Sequence, residues 1–236
     1  MLCARNTTKW LIKNNIMPLS LINWVLLIVF IYIIVNKTQL KQFNILPIYI
    51  MVFVNLIVEV LAYFLIKFKY EGGSMWVYNF SMPIEFITYG LLYKSLFKNK
   101  IYFSIINVSM IIIPLLTLVS FLINKKLSPF HSYVLTFGCI FILFLTLSFF
   151  IELFKADYFF TNPLKQFFFW VSTGLLLCYL GSFMYLSNFN FLFKKLPPLY
   201  SLLKDLNFIL NCFLYLCIII SIECLKAYPS SQIRSF

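Results

Sequence analysis

The sequence predicts an all-α integral membrane protein, a bundle of seven transmembrane helices joined by short loops. Three observations carry that expectation. Of 236 residues, 62% are hydrophobic and only 11% are charged, whereas an ordinary soluble domain carries roughly 25% charged residues. Such an excess cannot be hidden in one soluble core, but a bilayer accepts it. The apolar residues fall into seven runs of about 20, the number that crosses the hydrocarbon core. Between the runs lie short stretches such as NKTQLKQF, KNK and INKKLSPFHS, none of which can hold a soluble domain.

In chain order, residues 1–17 read as a basic segment with Arg5, Lys9 and Lys13 around a small apolar cluster at Trp10. No small-residue cleavage site follows the first long apolar run, so an uncleaved span is expected rather than a signal peptide. The spans are placed at 18–35, 46–66, 77–97, 102–123, 132–153, 166–187 and 205–225, with a polar tail at 226–236. Gly72-Gly73 and Pro197-Pro198 read as turns, and Trp10, Trp24, Trp76 and Trp170 fall near span ends, as interfacial aromatics do. No internal repeat is visible, and with only six Gly the small-residue seams of tightly packed transporters are scarce. The net charge of +12 is spread thinly over the loops. That distribution suits headgroup anchoring and not a nucleic-acid face. Alternate loop sets carry ten and nine basic residues, so the positive-inside rule favours neither orientation. The six cysteines form no CxxC and read as small buried apolar residues.

The stretch Trp76–Phe97, WVYNFSMPIEFITYGLLYKSLF, differs from the other runs. It carries Asn79, Pro83 and Glu85 inside an apolar span, and an acid at such depth costs about 2.5–3.5 kcal/mol on the insertion scale. Glu59 in the preceding span is its counterpart. Measured from their shared loop, both acids lie roughly 10–13 Å below the same surface, so in an antiparallel hairpin the carboxyls are placed to approach each other. Asn55, Glu59 and Tyr63 recur every four residues, as do Ser81, Glu85 and Tyr89, and then Asn207, Asn211 and Tyr215. Each trio makes one helix stripe that can face inward while Leu, Ile and Phe face lipid. Pro83 cannot bond the carbonyl of Asn79, which leaves that oxygen free. Gly174, Cys178 and Gly181 in the sixth span form a close-approach seam beside Tyr179 and Ser182. The polar pocket is thus expected from Glu59, Glu85, Asn55, Tyr63, Asn79, Tyr89, Tyr179, Asn211 and Tyr215. A structural network of neutral acids held by Asn and Tyr is the alternative use of the same residues. Glu152 and Glu223 fall at span ends, Glu71, Asp157 and Asp205 at boundaries or loops, and His131 reads as an interfacial helix-start residue.

The sequence has one His, no HExxH, no GxSxG and no phosphate cradle, and no Lys falls mid-span. Neither an enzyme, a cofactor, a metal site nor a retinal protein is expected.

Three segments carry a resemblance: WVYNFSMPIEF (76–86), FFFWVSTGLLLCYLGSF (167–183) and NFILNCFLYLCIIISIECL (207–225). In them the chain resembles small heptahelical membrane proteins of Bacteroidetes, similar to the membrane input region of sensor histidine kinases. That resemblance implies a sensor or signalling module in a bacterial cytoplasmic membrane, with Tyr78, Asn79, Glu85, Trp170 and Gly174 as characteristic positions. It departs from the pattern after Leu225, where only KAYPSSQIRSF follows, so the signal is expected to pass to a separate partner protein. Two other expectations stand beside it. One is a proton- or cation-coupled transporter or channel using Glu59 and Glu85. The other is an oligomeric accessory membrane protein of a bacterial defence system. A small ligand fits the pocket reading, and nucleic acid fits none of the three.

Overall fold

A computed structural model describes residues 16–36, 46–68, 74–97, 99–124, 130–155 and 163–227. Its regular elements are helices only: α1 (Ile16–Val35), α2 (Leu46–Lys67), α3 (Met75–Lys94), α4 (Lys100–Asn124), α5 (Ser132–Lys155), α6 (Phe167–Ser187), α7 (Phe189–Lys195) and α8 (Pro197–Ala227). A 3-10 turn, Pro163–Lys165, precedes α6. The basic N-terminal segment up to residue 15, the tail after residue 227 and the loop acids Glu71 and Asp157 lie outside the described residues.

Five helices, α2, α4, α5, α6 and α8, are long and apolar enough to cross a bilayer. That is the make-up of a multi-pass integral membrane protein. Of the other two expected spans, α1 is a 20-residue helix, Ile16–Val35, apolar along Leu21–Val35, and α3 is the less apolar one. In α3, Tyr78, Asn79, Ser81, Pro83, Glu85 and Thr88 break the apolar run. Polarity there does not mean exposure, because Asn79, Ser81, Thr88, Tyr89 and Tyr93 are all buried.

The connection after α6 is the other departure. Residues 188–204 were expected as a loop with a turn at Pro197-Pro198, yet α7 fills Phe189–Lys195 and α8 begins at Pro197 itself. The physical reason is positional. Proline in the first turn of a helix loses no hydrogen bond and has its φ already set, so a proline pair there starts a helix as readily as it makes a turn.

Neighbouring long helices pack in chain order, α1 on α2, α2 on α3, and so on to α6, which packs on α8. Contact of α8 with α1 closes the ring, and α3 also meets α5 across it. The tightest seam is α6 on α8. A Cβ on Gly174 would lie 2.9 Å from Cys217 Cβ, and one on Gly181 2.6 Å from a Leu210 methyl. At Gly138 of α5 the Phe86 ring from α3 occupies the space a Cβ would need.

Apolar side chains cover the outside, among them Trp24, Ile28, Ile111, Leu118, Ile140, Leu180 and Ile209, all exposed. Hydroxyls on the helices satisfy themselves: Thr117, Thr146 and Thr173 each donate to the carbonyl one turn back, at 2.9, 3.0 and 2.7 Å. Such back-bonding lets hydroxyls sit in an apolar phase. Five described cysteines are free thiols and four of them are buried, as their apolar reading expected. The end holding Ser74 and His131 is pinned by Asn190 of α7, whose Nδ2 donates to the Phe130 carbonyl at 2.8 Å. At the opposite end Trp170 Nε1 donates to the Leu164 carbonyl at 2.8 Å, and Lys94 Nζ reaches Asn107 Oδ1 at 2.8 Å over the Phe103 ring.

Candidate functional site

Helices α3 and α6 are not among the close-packed pairs, and tyrosine side chains bridge the space between them. Running antiparallel, they meet at three levels. Nearest the Lys94 end, Tyr93 and Ser172 hydroxyls share a 2.6 Å hydrogen bond, both residues buried. One level down, Tyr179 donates to Glu85 Oε1 at 2.9 Å. Lower still, Tyr78 lies within electrostatic reach of Tyr185. On α3 these positions are 93, 85 and 78, and on α6 they are 172, 179 and 185. The seven-residue steps, 78 to 85 on α3 and 172 to 179 on α6, return to nearly the same helix face after two turns, while the eight- and six-residue steps to Tyr93 and Tyr185 are rotated away from it.

The middle rung is the most connected. Besides Tyr179, Glu85 accepts a long bond of 3.5 Å from Tyr89, one turn along its own helix, and Asn55 of α2 bonds the same carboxyl. Asn55 Nδ2 also approaches the Tyr215 hydroxyl of α8 at 3.5 Å. Four helices thus converge on one acid. Cys139 and Cys178 line the same region, within electrostatic reach of Glu85.

Glu59 is held apart from Glu85. Its Oε1 accepts the Tyr78 hydroxyl at 3.2 Å, and its Oε2, shut off from solvent, has no hydrogen-bond partner among the described residues. The expected depth match therefore does not become a carboxyl pair. Each acid takes its own tyrosines, and Tyr215 stands within electrostatic reach of both.

Of the remaining expected residues, Asn211 lies close by: its Oδ1 accepts the Cys178 thiol at 3.8 Å and its Nδ2 donates to the Asn207 carbonyl at 2.8 Å. Tyr63 sits one turn beyond Glu59, edge-on to Phe64 at 5.8 Å and 5.9 Å from the Lys67 ammonium. Asn79, fully buried, serves another place, where its Oδ1 accepts the His131 backbone N–H at 3.0 Å. It thereby satisfies an N–H at the start of α5 that has no partner within that helix. Tyr78 belongs to the site and was not in the expected pocket. Its spacing of seven residues from Glu85, two helical turns, was the available signal.

No family model, no curated protein and no solved structure matches the chain. Any role therefore has to be argued from the layer's own chemistry. Among the described residues no group of three or more His, Cys, Asp and Glu is placed to hold a metal ion.

His131 lies at the rim, just before α5, and is itself buried. Its ring meets Phe121 edge-on at 4.5 Å, with both ring nitrogens unbonded among the described residues. Burial pushes the imidazole below its usual pKa, which keeps it neutral near pH 7. Asn79 is what fixes this corner. Asn79→Ala is expected to lower stability by about 1–3 kcal/mol through the stranded backbone donor. Thermal unfolding of the purified protein checks this, and an unchanged midpoint would remove Asn79 from that role.

Proposed function

We propose that the chain is a non-enzymatic signalling or sensing module of the membrane, with all seven long helices crossing the bilayer. The polar layer around Glu85 is its responsive site, and its output passes through a separate partner protein. The observation that supports this is the convergence of α2, α3, α6 and α8 on the Glu85 carboxyl. A change in charge or ligation at that one group alters bonds to Tyr179, Tyr89 and Asn55 together, and through Asn55 it reaches Tyr215. Networks of this kind have few intermediate arrangements, which is the property a switch needs. The resemblance to heptahelical input regions of bacterial sensor kinases points the same way, and a cytoplasmic membrane is the location that it implies.

The test is genetic. Wild-type protein is expected to restore the transcripts that deletion of the chain changes, whereas Glu85→Gln at equal membrane level is expected not to. Full restoration by Glu85→Gln would overturn the reading. Transport is the second reading, favoured by the bare Glu59 oxygen, and it requires pH- or ion-driven flux in reconstituted vesicles.

A further inference from the structure

The two acids of the layer are not equivalent. Glu85 has three donors for its carboxyl, from Tyr179, Tyr89 and Asn55. Glu59 has one, the Tyr78 hydroxyl, and its second oxygen is buried and unbonded among the described residues. Among the described residues no charged group acts on Glu59, and the nearest basic residue along its stripe is Lys67 at the helix end, beside Tyr63. A bare carboxylate oxygen in an apolar layer costs several kcal/mol unless a cation neutralises it. The donors that spare Glu85 this need are missing at Glu59.

The two acids also differ in their route to water. From Glu59 a line of hydroxyls runs toward the rim. Tyr78 bonds the carboxyl and lies within electrostatic reach of Tyr185 and Tyr200. Tyr185 and Tyr200 are hydrogen-bonded to each other, with ring centroids 5.7 Å apart, and Tyr200 belongs to the first turn of α8. Tyr63 and Lys67 continue the α2 stripe to the same end. Around Glu85 the hydroxyl partners Tyr179 and Tyr89 are both buried, whereas the line from Glu59 passes the buried Tyr185 to reach the half-buried Tyr200.

Resting on the reading of this layer as the working site, we propose that its ligand is a small monovalent cation, a proton included, taken up at Glu59 Oε2 and exchanged with water at the α7–α8 end. Glu85 keeps its bonds and transmits the change through Tyr215, the residue in reach of both acids. The cation sits on Oε2, while Oε1 keeps the Tyr78 hydroxyl. Among the described residues the titratable groups that interact with Glu59 are Tyr78 on α3 and Tyr215 on α8, and Tyr63 and Lys67 lie farther along its own stripe on α2.

Dicyclohexylcarbodiimide tests the proposal on the unmodified full chain in lipid nanodiscs, because a protonated carboxyl adds across a C=N bond of this apolar reagent, its proton going to nitrogen and its oxygen to carbon, and the O-acylisourea formed rearranges to a stable N-acylurea. Peptide mapping by mass spectrometry then reads each acid separately. The expected result is an adduct at Glu59 exceeding that at Glu85 by about tenfold or more, since Glu85 has two more hydrogen bonds and one to a charged group alone is worth about that ratio. Glu59→Gln should abolish it. Labelling that falls as pH rises supports proton exchange, and labelling that also falls with sodium or potassium at fixed pH extends the site to metal cations. Preferential labelling of Glu85, equal labelling of both acids, no labelling at any pH, or labelling of Glu59 indifferent to pH and salt would each overturn it. None of those outcomes bears on Glu85→Gln in the genetic test, so the two claims fail separately.

Discussion

Gly138→Ala is expected to destabilise the protein by about 1–3 kcal/mol, and Gly138→Val by more, because the added carbons have nowhere to go. The Phe86 ring already fills the place of the missing Cβ, and Phe86 is itself wholly buried. Glycine is required here by close approach and not by backbone conformation. The same contact sets how near α5 lies to α3, and so fixes the helix that carries Glu85. Phe86→Leu, which shortens the ring's reach, is expected to recover a large part of the loss when combined with Gly138→Ala. Thermal unfolding in detergent reads both. A neutral Gly138→Ala, or a double variant no better than the single, would mean that the helices part easily at this point.

Tyr179→Phe is expected to cost about 1.5–3 kcal/mol, the range for a hydrogen bond to a charged group. It removes the 2.9 Å donor from Glu85 and leaves only longer or weaker partners on α2 and α3. In a Glu85→Leu background the same change should cost well under half as much, since the acceptor is gone. That difference is the coupling energy between α3 and α6 at the middle rung. If Tyr179→Phe costs the same in both backgrounds, the phenol acts through ring packing against Phe86 and Tyr89, and the rung carries no energy.

How much of this was legible in the sequence depended on which force decided each feature. The long helices follow apolar run length, so α2 and α5, Leu46–Lys67 and Ser132–Lys155, lie within two residues of their expected bounds. The α6–α8 seam was legible too, because Gly174 and Gly181 have one use in an apolar helix, which is close approach. Helix α7 was hidden, since FNFLFKK is too short for a periodic signal and its place was taken by the reading of Pro197-Pro198 as a turn. Asn55 of the α2 stripe and Glu85 and Tyr89 of the α3 stripe share hydrogen bonds in the structure. Depth alone, however, suggested that Glu59 and Glu85 meet. Rotation about each helix axis decides that, and it is set by packing partners such as Tyr78 and Tyr179, which the stripe of a single helix does not contain. Asn79 shows the same limit. Its spacing from Pro83 is local, but its use by His131, just before α5, is a contact 52 residues away.

The central claim is that the charge on Glu85 sets the arrangement of the helices that converge on it. The direct measurement is the distance between nitroxide labels on cysteines introduced at Ile84 of α3 and Leu180 of α6, both exposed on the outer face. Cys3 and Cys212 would be replaced first, the other native thiols being buried. Pulsed electron resonance in nanodiscs then compares the labelled protein with the same protein carrying Glu85→Gln. A displaced or newly divided distance distribution in Glu85→Gln is the expected result, and superimposable distributions would contradict the claim.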